Sequence, residues 1–156
     1  MKCRLIAAGT RLPDWVNSGF REYQKRLRTP LSLELHEIQV ATRRPGENPG
    51  RAIVREGTDM LAALGKDDFV VALEIAGKSM STEQLCLWLS ERMRDGRSLA
   101  LLIGGPDGLS PQCRERAAQS WSLSPLTLPH ALVRVVVAEQ LYRAVSLLAG
   151  HPYHRA

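Results

Sequence analysis

Leu99-Ala100-Leu101-Leu102-Ile103-Gly104-Gly105-Pro106-Asp107-Gly108-Leu109-Ser110-Pro111 is the stretch from which the fold is read. Five apolar residues in a row, with no polar alternation, describe a strand covered on both faces, as parallel sheets require. The glycines that follow let backbone approach a neighbour or a ligand closely. Ser110 before Pro111 is a helix start: a capping hydroxyl, then a ring that presets the first turn. The turn is not a P-loop, because no Lys-Ser/Thr follows, and it is not a GxGxxG turn. A tight connection from strand to helix with no ligand would have the same composition.

Strand and helix signals alternate over the rest of the chain. Leu5 to Ala8 reads as a first strand before Gly9, and Pro13 to Leu27 has helical spacing at Trp15, Val16, Phe20, Tyr23 and Leu27. Leu31 to Val40 suits a second strand, and Ala41 to Gly50, with its Pro, Gly and Arg, is a basic loop. A helix runs from Ala52 to Leu64, with Gly65 as a C-cap. Phe69 to Leu73 is a buried strand ended by Glu74-Ile75-Ala76-Gly77-Lys78. Ser81 or Thr82 caps a helix that stops at Asp95-Gly96. The pattern predicts an α/β fold, a mostly parallel sheet with helices on both faces, in one domain spanning residues 1–156. In such sheets ligands sit beyond the carboxyl ends of the strands.

With 156 residues the chain can bury a full core, and no apolar run approaches the length of a membrane span. No membrane partner is expected. Met1 to Leu5 has no signal-peptide core, and three cysteines without CxxC spacing read as reduced thiols, so a cytoplasmic protein is expected. The net charge is +5, and 17 of the 21 cations are Arg. The guanidinium fork suits phosphate and stacks on bases, which favours a nucleic-acid partner. A genome that encodes Arg for every surface cation gives the same bias.

Trp121 to Pro129 carries no charge, and Pro125 and Pro129 hold the preceding Ser124 and Leu128 extended. A stiff neutral loop suits cradling a flat ring through backbone groups; a buried crossover that merely packs is the alternative. From His130 to Leu148 the chain is helical and apolar nearly all round, with Glu139 and Arg143 spaced to pair. A terminal helix of that kind is buried on two sides, which points to a homodimer. The tail His151-Pro152-Tyr153-His154-Arg155 could do acid–base or phosphate-binding work. His151 and His154 have no converging ligands, and no metal is expected.

These pieces together resemble a known family. Gly104 to Gly108, then Ser122-Leu123-Ser124-x-Leu126-Thr127-Leu128-Pro129-His130-x-Leu132-Val133-Arg134, then Glu139-Gln140-x-Tyr142-Arg143-Ala144, then Pro152-Tyr153-His154-Arg155 are similar to the small bacterial SPOUT methyltransferases that methylate N3 of a pseudouridine in 23S ribosomal RNA. Ala8-Gly9-Thr10, Pro13-Asp14-Trp15 and Glu22-Tyr23 fit as well, so the resemblance covers the whole chain. Pro125 and Ala131 stand where relatives differ, and Arg155 where some have Lys.

The resemblance implies a C-terminal trefoil knot over about residues 100–150, an exception to the rule against threaded chains. It implies S-adenosyl-L-methionine held there by Leu73, Gly104, Gly105, Leu123, Ser124, Pro125, Leu126, Thr127 and Leu128. It further implies a homodimer acting on 23S rRNA in the ribosome, with Tyr153, His154 and Arg155 at the target base across the dimer. Methyl transfer needs alignment of the donor carbon with N3 and removal of the N3 proton. On this reading Arg155 or Arg134 stabilises the developing anion or binds phosphate, and His154 positions the base or moves the proton. Two other readings compete: a non-catalytic Arg-rich RNA-binding module, and a nucleotide-binding enzyme with phosphate at the glycine turn.

Overall fold

The computed structural model describes residues 1–155, apart from the side chain of His154. Five strands, β1 (Lys2–Ala8), β2 (Ser32–Ile38), β3 (Phe69–Ser79), β4 (Leu99–Ile103) and β5 (Gln119–Ser122), form one sheet in the order β2-β1-β4-β3-β5. Every pairing is parallel. The helices are α1 (Asp14–Gln24), α2 (Gly50–Ala62), α3 (Thr82–Asp95), α4 (Pro111–Arg116) and α5 (His130–Leu148), with a 3₁₀ turn at Pro152–His154.

Strand alternation splits the core into two layers. Cys3, Leu5, Ala7, Leu99, Leu101 and Ile103 face Phe20 of α1, Leu85 and Leu89 of α3, and Val137, Leu141 and Ala144 of α5. Ile6, Ala8, Ala100, Leu102, Val70 and Ala72 face Met60 of α2 and Cys113 of α4. The sheet is therefore apolar on both faces, which explains why β1 and β4 are runs of apolar residues rather than alternating ones. Ser81 caps α3 in a reciprocal capping box with Gln84, and Gly96 ends it at φ 80°.

Two expected boundaries move. The segment Glu74–Lys78 does not end β3, which runs on to Ser79 with a register shift: both Leu73 and Lys78 pair with Trp121. Residues between them bulge outward. The segment from Trp121 does not open as loop: Trp121 and Ser122 close the edge strand β5. A Cβ on Gly77 would stand 2.7 Å from the backbone carbon of Trp121, so only glycine lets β5 lie this close to the bulge.

Candidate functional site: a cavity between the glycine turn and a self-bonded loop

Beyond the carboxyl end of β4, against the bulge of β3, lies a cavity of about 730 Å³. Leu73, Gly104, Gly105, Leu123, Ser124, Leu126, Thr127 and Leu128 line it; Pro125 lies in the same loop but is not part of the wall. Thus Leu73 at the β3 bulge, the turn after β4 and the loop after β5, separate in sequence, converge on one space.

Gly104 is required by close approach. A Cβ there would stand 2.4 Å from the carbonyl carbon of Gly108, because the turn folds back so that Gly108 N–H donates to the Gly105 carbonyl at 3.1 Å. The loop opposite holds its shape with its own polar groups. Ser122 Oγ donates to the Ser124 carbonyl at 3.1 Å, and the Leu126 N–H donates to Ser124 Oγ at 2.9 Å. Leu126, 73% exposed, overhangs the mouth. Pro129 then serves as N-cap of α5 at φ −55°, so the loop passes straight into the helix.

Several wall residues were not picked out from the sequence. Ile103, Trp121 and Val133 supply apolar surface, and Glu74, Ile75 and Ala76 enter because β3 bulges rather than ends. Glu74 and Arg114 are the formally charged residues of the wall, and they pair, with Arg114 Nε 2.5 Å from Glu74 Oε1. The basic loop between β2 and α2 is pinned to the glycine turn. Arg43 donates from Nη1 to buried Glu56 at 2.7 Å and from Nε to Asp107 at 2.6 Å. Those carboxylates hold the Arg43 guanidinium above its ordinary pKa, the Glu56 hydrogen bond being the larger cause.

Arg134 takes a different place from the one expected of it. It is 1% exposed and lies outside the cavity wall. Its Nη1 is 2.8 Å from Glu37 Oε2, and its Nη2 donates to the carbonyl of Gly9 at 2.6 Å and of Ala8 at 3.3 Å. A guanidinium enclosed in this way fastens α5 to the end of β1. His130, one turn earlier, does line the cavity; its Nδ1 is buried without a partner among the described residues, and burial followed by the Arg134 charge lowers its pKa.

The tail turns back along α5. The Tyr153 hydroxyl donates to Glu139 Oε1 at 3.3 Å, and its ring packs edge-on against Tyr142 with centroids 4.6 Å apart. Burial, reinforced by hydrogen bonding to Tyr23 and the Glu139 charge, raises the Tyr153 pKa, so the phenol stays protonated near neutrality and serves as a donor rather than a base. Arg155 is exposed, and neither Tyr153 nor Arg155 lines the cavity. The role expected of His154 falls on a side chain outside those described. The Glu139–Arg143 pair forms as its spacing predicts, with Arg143 Nε 2.9 Å from Glu139 Oε1.

Comparison with known proteins agrees with this architecture. Residues 1–154 match a family model described as "Predicted SPOUT methyltransferase". A protein of Alkalilimnicola ehrlichii named ribosomal RNA large subunit methyltransferase H is 57% identical over the full length of both chains. Proteins with the same name from Xanthomonas oryzae pv. oryzae and Hahella chejuensis are 55% and 52% identical, over 100% and 99% of each chain.

Proposed function

The chain belongs to the SPOUT methyltransferase family, and from that premise we propose that it transfers the methyl group of S-adenosyl-L-methionine to N3 of a pseudouridine in 23S rRNA. The observation that carries the proposal is the convergence of Leu73, Gly104–Gly105 and the Leu123–Leu128 loop on one cavity. The relatives' names supply the large-subunit rRNA as substrate class.

The cavity fits the donor on its own chemistry. Ile103, Trp121, Leu123 and Val133 offer apolar surface to an adenine ring, and the glycine turn, which no Cβ on Gly104 would allow to fold back on Gly108, lines the same space. The loop polar groups are already bonded to one another, so ordering on binding costs little. The paired charges of Glu74 and Arg114 are placed to meet the ammonium and carboxylate of the methionine end. When bound, the donor would supply an electrophilic methyl group on a sulfonium.

The chain's own residues then have three tasks. The stiff loop and Gly104 fix the donor so that its methyl faces outward. Exposed Arg44, Arg51 and Arg55, on a loop and helix that Arg43 clamps to the glycine turn, give phosphate a cationic surface tied to the cavity. Tyr153, His154 and Arg155 act in a homodimer, reaching the site of the second copy. Support for the dimer comes from α5. One side is buried through Val137, Ala138, Leu141 and Ala144, while Leu132 and Val136 remain only half-buried and Leu148 is 41% exposed.

Mass spectrometry of 23S rRNA from a strain lacking the protein tests the assignment: loss of one methylated pseudouridine is expected, and an unchanged modification profile refutes it. Calorimetry separates the readings. An RNA-binding module takes up no S-adenosyl-L-methionine, and a phosphate site at the glycine turn prefers ATP.

A further inference from the structure

A group-transfer enzyme needs two spaces that meet, one for the donor and one for the acceptor. A second cavity, of about 420 Å³, opens beside the first, walled by Gly9–Leu12, Gln39, Val40 and His130. Its residues come from the segments that follow β1 and β2, so it lies at the same carboxyl edge of the sheet. His130 is the one residue common to both walls.

The wall matches a flat polar ring rather than an apolar ligand. Leu12 and Val40 offer two aliphatic surfaces, while Thr10 and Gln39 add a hydroxyl and an amide. Arg11, exposed at the rim, is held at φ 55°, a left-handed conformation that non-glycine residues rarely adopt. Arg134 fixes the chain just before it through the carbonyls of Ala8 and Gly9.

His130 at the seam has no hydrogen-bond partner on either ring nitrogen among the described residues, and its Nδ1 is buried. The Arg134 Nη2 and the His130 ring both come within about 3.2 Å of the point where a Cβ on Gly9 would stand. A cation beside buried Nδ1 disfavours a proton there, which leaves the proton on Nε2 and makes His130 a donor.

We infer that this second cavity receives the acceptor nucleobase, a uracil-type ring whose carbonyls flank the reactive N–H, with a carbonyl edge on His130 and its phosphate toward Arg11. The inference rests on the donor assignment of the first cavity and adds the location of the acceptor.

Amide NMR of the isotope-labelled full chain tests the two assignments separately. S-adenosyl-L-homocysteine should shift Gly104, Gly105 and the amides of 123–128; no shift there overturns the donor reading and the inference with it. With that ligand bound, pseudouridine 5′-monophosphate should shift Gly9–Leu12, Gln39 and Val40, and ribose 5-phosphate should not. Shifts confined to the tail, or equal shifts from the sugar phosphate, overturn the acceptor cavity alone. A cavity that houses the tail of a second copy would instead respond to deletion of residues 152–156 and ignore the nucleotide, which also overturns it. Leu12→Trp fills the space without removing a polar group. It should lower kcat/KM on ribosomal substrate about tenfold or more while S-adenosyl-L-homocysteine affinity stays within about twofold. An unchanged kcat/KM overturns the inference.

Discussion

Replacing Arg134 with Ala removes a charge that the fold has enclosed, and its effect follows from the contacts. The side chain is 1% exposed and is held by Glu37 at 2.8 Å and the Gly9 carbonyl at 2.6 Å. Breaking a buried pair costs about 3–5 kcal/mol, and a charge-assisted hydrogen bond contributes about 1.5–3 kcal/mol. Glu37 is itself 37% exposed and rehydrates when its partner goes, so the pair falls at or below the low end of that range. The bond to Ala8 at 3.3 Å adds little. The expected loss is about 3 kcal/mol. In urea, at fixed protein concentration and a slope of about 2 kcal/mol/M, the unfolding midpoint should fall by about 1.5 M. Arg134→Lys keeps the charge but not the fork, and should fall between the two. If Arg134→Ala unfolds within about 0.5 kcal/mol of the parent yet has lost methylation, the guanidinium belongs to the chemistry and the structural argument fails.

Four further outcomes follow from the same contacts. Gly104→Ala places a Cβ 2.4 Å from the Gly108 carbonyl carbon, so the turn must open; calorimetry should show S-adenosyl-L-methionine binding weakened about tenfold or more, and parental affinity would contradict the close approach. All three cysteines are buried, and burial raises the thiol pKa of Cys3 and of Cys86; a disulfide reagent should react slowly with native protein and with three thiols after denaturation. His130 has its pKa lowered from 6.5 by burial and then by Arg134, so its NMR titration midpoint should lie below 6.5. The unfolded chain takes that proton more readily, so the stability tied to neutral His130 is complete above 6.5 and declines as the pH falls below it, a slope that His130→Gln should flatten. Tyr153→Phe should remove from the ultraviolet titration a phenol that ionises above the ordinary range, which burial has raised.

The legible part of the fold was the part written in local composition. The apolar runs of β1, β3 and β4 and the start signal at Ser110-Pro111 named the sheet and its parallel sense, because residues buried on both faces leave no polar alternation. β5 escaped notice because Gln119-Ser120-Trp121-Ser122 is a short edge strand with one apolar side chain, and its pairing depends on Gly77 across the sheet. The continuation of β3 was hidden for the same reason: a strand that bulges around a partner has no periodic signature. Arg134 shows the limit for sites. Its partner Glu37 lies 97 residues away, so no spacing rule pairs them, and the enclosure of the guanidinium is visible only in three dimensions. His130 had a signal, a side chain fixed directly after Pro129 at the mouth of the neutral loop, but its place between two cavities exists only in three dimensions.

The tail follows from α5. Within one protomer Tyr153 is committed to Glu139 and to the Tyr142 ring, and Arg143 stacks over it with the guanidinium carbon 5.1 Å from the ring centroid. That network fixes where the chain leaves the helix and holds the tail on the same helix that carries half-buried Leu132 and Val136. A two-fold partner packed on those residues would be related by the same contact in both directions, so each tail would be presented to the other copy at no further ordering cost. The proposed homodimer therefore does more than cover apolar surface. The residues lining the proposed donor cavity come from one chain, but the Tyr153 hydroxyl is held at Glu139, nine residues along α5 from His130 and so roughly 14 Å from it. A rigid helix cannot fold that distance away. If Tyr153 and Arg155 act on the same base as His130, they must come from the second subunit.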